Sequence, residues 1–290
     1  MPNPSKKKKN KNAQTVKIVA GAASLALCLW LGFLMTWNTI VTSLMFFPEK
    51  TFYEKPQDYG YAFEDVGLAT HDGVRLHGWF LKASGAERGA LLFFHGNAGN
   101  ISNRLFKMRG WIDRGFSVFL VDYRGYGKSE GKIHEQQDIL ADAQAAFQWM
   151  TEAQKFSVSR IILYGESLGT HPAIRLGAEH KAAAVILEAP FTSFLKLARI
   201  HYPFVPEVLI RDFEFSNEKY IPALKAPLFI LHGTQDEICP YEMAGELFEK
   251  APNPKDFFSV PHGQHNDLPV AAGEDFWERP FQFVSRYLKP

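Results

Sequence analysis

The stretch Gly165-Glu166-Ser167-Leu168-Gly169 constrains this chain more than any other. Ahead of it runs Arg160-Ile161-Ile162-Leu163-Tyr164, β-branched and apolar, suited to a buried strand. Behind it, Thr170 to Ala178 suits a helix with Pro172 in its first turn. A Gly-x-Ser-x-Gly turn between strand and helix is too tight for side chains flanking the serine. It lifts the hydroxyl above the sheet, at a helix N-terminus where developing negative charge is favoured. Ser167 is therefore a candidate nucleophile; the alternative is an ordinary turn whose serine caps the helix. A nucleophilic serine needs a base, an orienting acid and an oxyanion hole.

Strands and helices alternate around this motif. Ala62 to Ala69 and Val74 to Lys82 flank His71-Asp72-Gly73, a hairpin signal. Further strands are expected at 90–94, 117–121, 160–164, 183–187, 227–231 and 256–260, with a last helix from about Pro280 to Leu288. This order predicts an α/β fold with a mostly parallel eight-stranded sheet, covered by helices on both faces. Antiparallel pairing is expected only from the first two strands. Residues 191–224 read as an irregular, aromatic insertion over the sheet edge.

Loops after successive parallel strands meet at one edge of the sheet. Asp236 follows the strand ending at Leu231, and His265 follows the strand ending at Val260. Ser167, Asp236 and His265 thus stand as nucleophile, acid and base. The oxyanion donors are expected to be the backbone N–H of Leu168 and that of Asn97, in the loop after the His95 strand. His262 is a rival base three residues before His265, and Glu188 is a rival acid. His95 and His232, each before a glycine at a strand end, read as structural.

Charge is uneven. There are 32 basic and 31 acidic residues, but Lys6, Lys7, Lys8, Lys9, Lys11 and Lys17 all precede the first acid, Glu49. Taking those six away leaves an excess of five acids over the rest, so the folded part is no nucleic-acid binder by charge. Residues 18–48 carry no charge, and Ile18 to Trp37 matches the ~20 residues of a spanning helix. The expected organisation is a basic tail over 1–17, a transmembrane signal-anchor over 18–47, a linker over 48–61 and one catalytic domain over 62–290. Lysines before the span put the N-terminus in the cytoplasm and the domain on the other side. A cleaved signal peptide fits less well, and so does a lipoprotein signal at Cys28. No metal-ligand cluster and no cofactor motif is visible.

The stretches Phe93-Phe94-His95-Gly96-Asn97-Ala98-Gly99-Asn100, Asp122-Tyr123-Arg124-Gly125-Tyr126-Gly127, Tyr164 to Gly169, Leu187 to Ser193, Leu231 to Asp236 and Gly263-Gln264-His265-Asn266-Asp267 occur in this order. In them the chain resembles the serine hydrolases of the α/β-hydrolase superfamily, and most the membrane-anchored bud-emergence-type group. The likeness spans roughly Leu44 to Tyr287. It departs at His171 and Gln264, where the group has small residues. The resemblance implies an α/β-hydrolase fold with a small lid, a Ser167-Asp236-His265 triad, no metal and no cofactor. The expected substrate is a small acyl ester or thioester of short-to-medium chain, lipid-derived ones included, with the bilayer as a partner through the N-terminal helix. Two alternatives stand beside it: a serine peptidase of the same fold, and a membrane-tethered, non-catalytic interaction protein.

Overall fold

A computed structural model describes residues 17–33, 42–43, 45–207 and 210–288. The chain divides into two units, Met1–Met45 and Phe46–Pro290. In the first, a helix over 17–33 (α1) leaves Ile18, Val19, Leu25, Leu27, Leu29, Trp30, Leu31 and Phe33 exposed. Among the described residues no helix is long and apolar enough to cross a membrane. The expected span over 18–47 is thus not seen as one helix. Residues 34–41 and 44 lie outside the described residues, and the far end of the apolar run belongs to the second unit.

That far end is pulled away by packing. Phe46 is buried edge-on against Phe213 and Phe215, at centroid distances of 5.6 and 6.5 Å. Phe47–Pro48 (β1) pairs in parallel with Ala98–Gly99 (β5). The segment expected as a linker then runs along the second unit. Asn100 Nδ2 donates to the carbonyls of Glu49 and Thr51, and Tyr53 N–H donates to Ser102 Oγ.

The main sheet has eight strands: Phe63–Ala69 (β2), Arg75–Leu81 (β3), Gly89–Phe94 (β4), Phe116–Val121 (β6), Ile161–Glu166 (β7), Ala184–Glu188 (β8), Leu228–Gly233 (β9) and Lys255–Val260 (β10). Their order across the sheet is β10-β9-β8-β7-β4-β6-β3-β2. Only β3 pairs antiparallel, with β2 and with β6. The central strands β4, β6, β7, β8 and β9 are buried along their whole length, as apolar runs covered on both faces must be. The covering helices are Leu105–Asp113 (α2), Gln136–Gln148 (α3), Thr170–Glu179 (α4), Tyr241–Lys250 (α7), Leu268–Ala272 (α8) and Asp275–Ser285 (α9).

Two elements differ from expectation. The last helix begins at Asp275 and holds Pro280 inside it. Burial of Phe276 and Trp277 outweighs the proline's missing N–H, and Trp277 Nε1 donates to the Lys107 carbonyl at 2.6 Å. The insertion over 191–224 is partly helical, with Phe194–His201 (α5) and Asn217–Tyr220 (α6). Ser193 caps α5, its hydroxyl accepting from the Lys196 N–H. Phe191, Phe213 and Phe215 are core of this insertion, whereas Tyr202 and Phe204 are exposed, Phe204 by 96%. Val208 and Leu209 lie outside the described residues.

Candidate active site

Ser167 sits at φ 50°, in the left-handed region that a residue with a Cβ adopts at a cost. Neighbouring backbone holds it there. A Cβ on Gly165 would overlap the Gly169 carbonyl, and one on Gly169 would overlap the Phe94 carbonyl. The turn Ser167–Gly169 runs straight into α4.

Across the sheet edge, His265 Nε2 lies 3.0 Å from Ser167 Oγ, and His265 Nδ1 lies 2.7 Å from Asp236 Oδ2. With Asp236 ionised, Nδ1 carries the proton and Nε2 is left as acceptor for the serine hydroxyl. Asp236 stays ionised. Burial pushes its carboxyl up, but hydrogen bonds from His232, His265 and the Cys239 N–H outweigh that and hold it well below the usual carboxylate range. Its other oxygen accepts the N–H groups of Ile238 and Cys239 at 2.9 and 2.8 Å. The acid and base loops are knitted together: Thr234 N–H donates to Val260 O, and Gln235 N–H to Gly263 O.

The rivals are placed elsewhere. His262 is exposed, with Nδ1 3.2 Å from Gln235 Nε2. Glu188 is buried and accepts from Lys107 Nζ at 2.6 Å and from the Tyr164 hydroxyl at 2.8 Å. Burial and nearby Glu166 push its carboxyl up. Cys239 is buried, and burial raises its thiol far above the range in which it would ionise.

His95 and His232 each bond loop backbone, as structural residues at a strand end should, but several contacts around them were not legible. His232 reaches the acid itself: Nε2 lies 3.1 Å from Asp236 Oδ2 and 2.8 Å from the Cys239 carbonyl. His95 Nδ1 donates to Gly96 O at 2.7 Å. The N–H of Asn97 belongs to the same peptide plane as that carbonyl, so His95 fixes which way this expected donor points. The Asn97 carbonyl accepts from the Tyr126 hydroxyl at 2.8 Å and from Phe47 N–H at 3.2 Å. Tyr123 hydroxyl holds the His95 carbonyl at 3.1 Å. Leu168 is buried at the start of the elbow turn. The insertion is tied to the elbow through Asn217, whose Nδ2 donates to Thr170 Oγ1 at 3.1 Å, while Thr170 Oγ1 donates to Ser167 O at 2.6 Å. His171 packs beside it, Nδ1 against Asn217 Oδ1 at 2.9 Å, and burial pulls its ring down to about 4. The only signal for these contacts was the repeated His-Gly pair at two strand ends.

Among the described residues no group of three or more His, Cys, Asp or Glu could hold a metal ion. The site as built offers a hydroxyl, a base poised on it, a buried anion behind the base and a clasped loop facing the nucleophile. That set suits acyl transfer.

Residues 85–213 match the family described as "Serine aminopeptidase, S33". The chain is 37% identical over 259 residues to the alpha/beta hydrolase domain-containing protein WAV2 of Arabidopsis thaliana, covering 82% of this chain and 83% of that one. It is 32% identical over 281 residues to protein bem46 of Schizosaccharomyces pombe, covering 93% and 92%. Among solved structures, the Pyrococcus furiosus esterase Pf2001 superposes with a TM-score of 0.70 at 23% identity, over 84% of this chain and 100% of that one.

Proposed function

Because the chain belongs to the α/β-hydrolase family, and within it to the bud-emergence-type group, we propose that it cleaves carboxylic esters or thioesters through an acyl-enzyme on Ser167. The observation that carries this is the bonded line from Ser167 Oγ through His265 to Asp236, at 3.0 and 2.7 Å, with the serine held at φ 50°. His265 takes the hydroxyl proton as Ser167 attacks the carbonyl carbon, and returns it to the leaving alcohol or thiol. Asp236 remains an anion and stabilises the imidazolium. The N–H groups of Leu168 and Asn97 receive the oxyanion. Water then repeats the sequence and frees the acid.

Esterases among the structural neighbours support an ester substrate. The family description favours a second reading, an aminopeptidase. That activity needs a carboxylate to hold the substrate's ammonium. Glu166 and Glu188, the buried carboxylates flanking the elbow, already pair with Arg104 and Lys107. This favours the ester. The short insertion, with Tyr202 and Phe204 exposed, suits an open mouth and short-to-medium acyl chains, at about 0.8 kcal/mol per buried methylene. The exposed apolar face of α1 and the lysines before it support membrane anchoring by the N-terminal unit, lysines on the cytoplasmic side and the catalytic unit opposite.

The test uses the purified full chain in detergent, with p-nitrophenyl esters and acyl thioesters of rising length beside aminoacyl amides. Turnover of esters or thioesters, abolished in Ser167→Ala, is expected. Cleavage of amides alone would replace this reading with the peptidase.

A further inference from the structure

The two expected oxyanion donors come from different strands, Asn97 from the loop after β4 and Leu168 from the elbow after β7. Sheet pairing fixes the strands but not the separation of loops beyond their ends. One side chain spans that gap. Arg104, the last residue of the 3-10 turn Ile101–Arg104, donates from Nε to Glu166 Oε2 at 2.8 Å and from Nη2 to the Ala98 carbonyl at 3.0 Å. Glu166 directly precedes Ser167, and Ala98 directly follows Asn97. The Arg104 and Glu166 side chains are largely withdrawn from water, with 12% and 7% of their surface exposed, so solvent competes little for the bond between them, while the bond to the Ala98 carbonyl lies at the surface.

The charges balance. Lys107 Nζ stands 3.3 Å from the same Glu166 oxygen and 2.6 Å from Glu188 Oε1, so two cations face two anions. Burial pushes the Glu166 carboxyl up, but Arg104 and Lys107 outweigh it and bring it down to about 2. Space is tight where the segments meet. A Cβ on Gly96 would lie 3.2 Å from Glu166 Oε1, 3.5 Å from Ser167 Cβ and 3.6 Å from Arg104 Nη2. A guanidinium presents diverging donors in a rigid plane and can hold two acceptors at a set separation. An ammonium in its place keeps the charge but holds no fixed fork.

We propose that Arg104, acting with Glu166, is a positioning residue that sets the separation of the two oxyanion donors. It rests on the hydrolase reading above and adds a residue to it. Arg104 donates to Glu166 and to the Ala98 carbonyl, and so acts through the elbow and the loop. The consequence is a split in kinetics. Losing the fork weakens binding of the oxyanion while leaving ground-state binding intact, so kcat falls and KM holds.

Arg104→Lys is the decisive variant, since it keeps the buried charges balanced. With p-nitrophenyl acetate and the full chain, kcat is expected to fall about ten- to a hundredfold, with KM within about threefold and the melting temperature near wild type. Affinity for a trifluoromethyl ketone, whose addition to Ser167 creates an oxyanion, should weaken by the same factor as kcat/KM. Glu166→Gln should lose a similar factor, and the double variant no more than the worse single one, because one bond is broken twice. Wild-type kcat in Arg104→Lys overturns the proposal. So does a loss confined to KM, ketone affinity unchanged, or losses that multiply. If Glu166→Gln fails to fold, Arg104→Lys alone decides. A wild type that neither turns over nor reacts with the ketone brings down the hydrolase reading, and the proposal with it. An active wild type with an indifferent Arg104→Lys brings down the proposal alone.

Discussion

Two loops leave the parallel sheet through the same dipeptide and are held in opposite ways. His232-Gly233 ends β9 and leads to the acid; His95-Gly96 follows β4 and leads to the expected oxyanion donor. The acid loop is secured by its neighbour in the sheet and by its own backbone, with Asp236 accepting from His265, His232, Ile238 and Cys239. The oxyanion loop is secured by Phe47, Tyr123 and Tyr126, all distant in sequence, and by Arg104, six residues beyond the carbonyl it holds. An acid needs only to stay charged and aimed, and four donors make that redundant. An oxyanion hole needs a geometry, and the clasps hold the carbonyls of His95, Asn97 and Ala98 in turn.

The largest contrast is between the triad and everything around it. Ser167→Ala and His265→Ala should each lower kcat/KM about ten-thousandfold or more, and Asp236→Asn by a similar factor. His262→Ala should change it less than about twofold, because its ring faces Gln235 instead. A comparable loss in His262→Ala, with His265→Ala active, would reverse the assignment of the base.

The two His-Gly pairs can then be set against each other. His95→Leu removes the donor to Gly96 O and should cost about a hundredfold in kcat. His232→Asn removes one of four donors to Asp236 and should cost about tenfold or less. Equal losses would erase the distinction between a redundant and a geometric loop. Tyr126→Phe is milder still: the Asn97 carbonyl keeps Phe47 N–H, so a fewfold loss in kcat without change in KM is expected.

The smallest effect is on stability. His171 is held neutral by burial, its ring at about 4 against about 6.5 in an unfolded chain. Its folded pKa is depressed, so between those values the unfolded state binds more protons and stability falls as pH falls. Melting temperature should therefore decline from pH 6.5 toward 4, and less steeply in His171→Gln. A slope unchanged by that substitution would place the acid sensitivity elsewhere.

The order of strands could be read from the chain because parallel strands buried on both faces leave uninterrupted apolar runs, as in Leu91 to Phe94 and Ile161 to Leu163. The meeting of Ser167, Asp236 and His265 could be read because consecutive loops of such a sheet share one edge. The clasps could not. Arg104 and Glu166 lie 62 positions apart, and nothing in either local pattern announces a pair. The role of His95 depends on which ring nitrogen meets Gly96 O, a matter of rotamer and tautomer. The apolar run over 18–47 looked continuous because hydropathy does not tell a lipid-facing residue from Phe46, whose partners are Phe213 and Phe215. The start of α9 was hidden by Pro280, whose usual place in a first turn misled where burial of Phe276 and Trp277 decided.

The central claim is that Ser167 is a nucleophile made reactive by His265. A fluorophosphonate probe reports this directly when the purified full chain is labelled, digested and read by mass spectrometry. The expected result is a single adduct on the peptide carrying Ser167, formed within minutes and lost in His265→Ala. Ester hydrolysis by a chain that carries no adduct on Ser167, or undiminished labelling of Ser167 in His265→Ala, would contradict it.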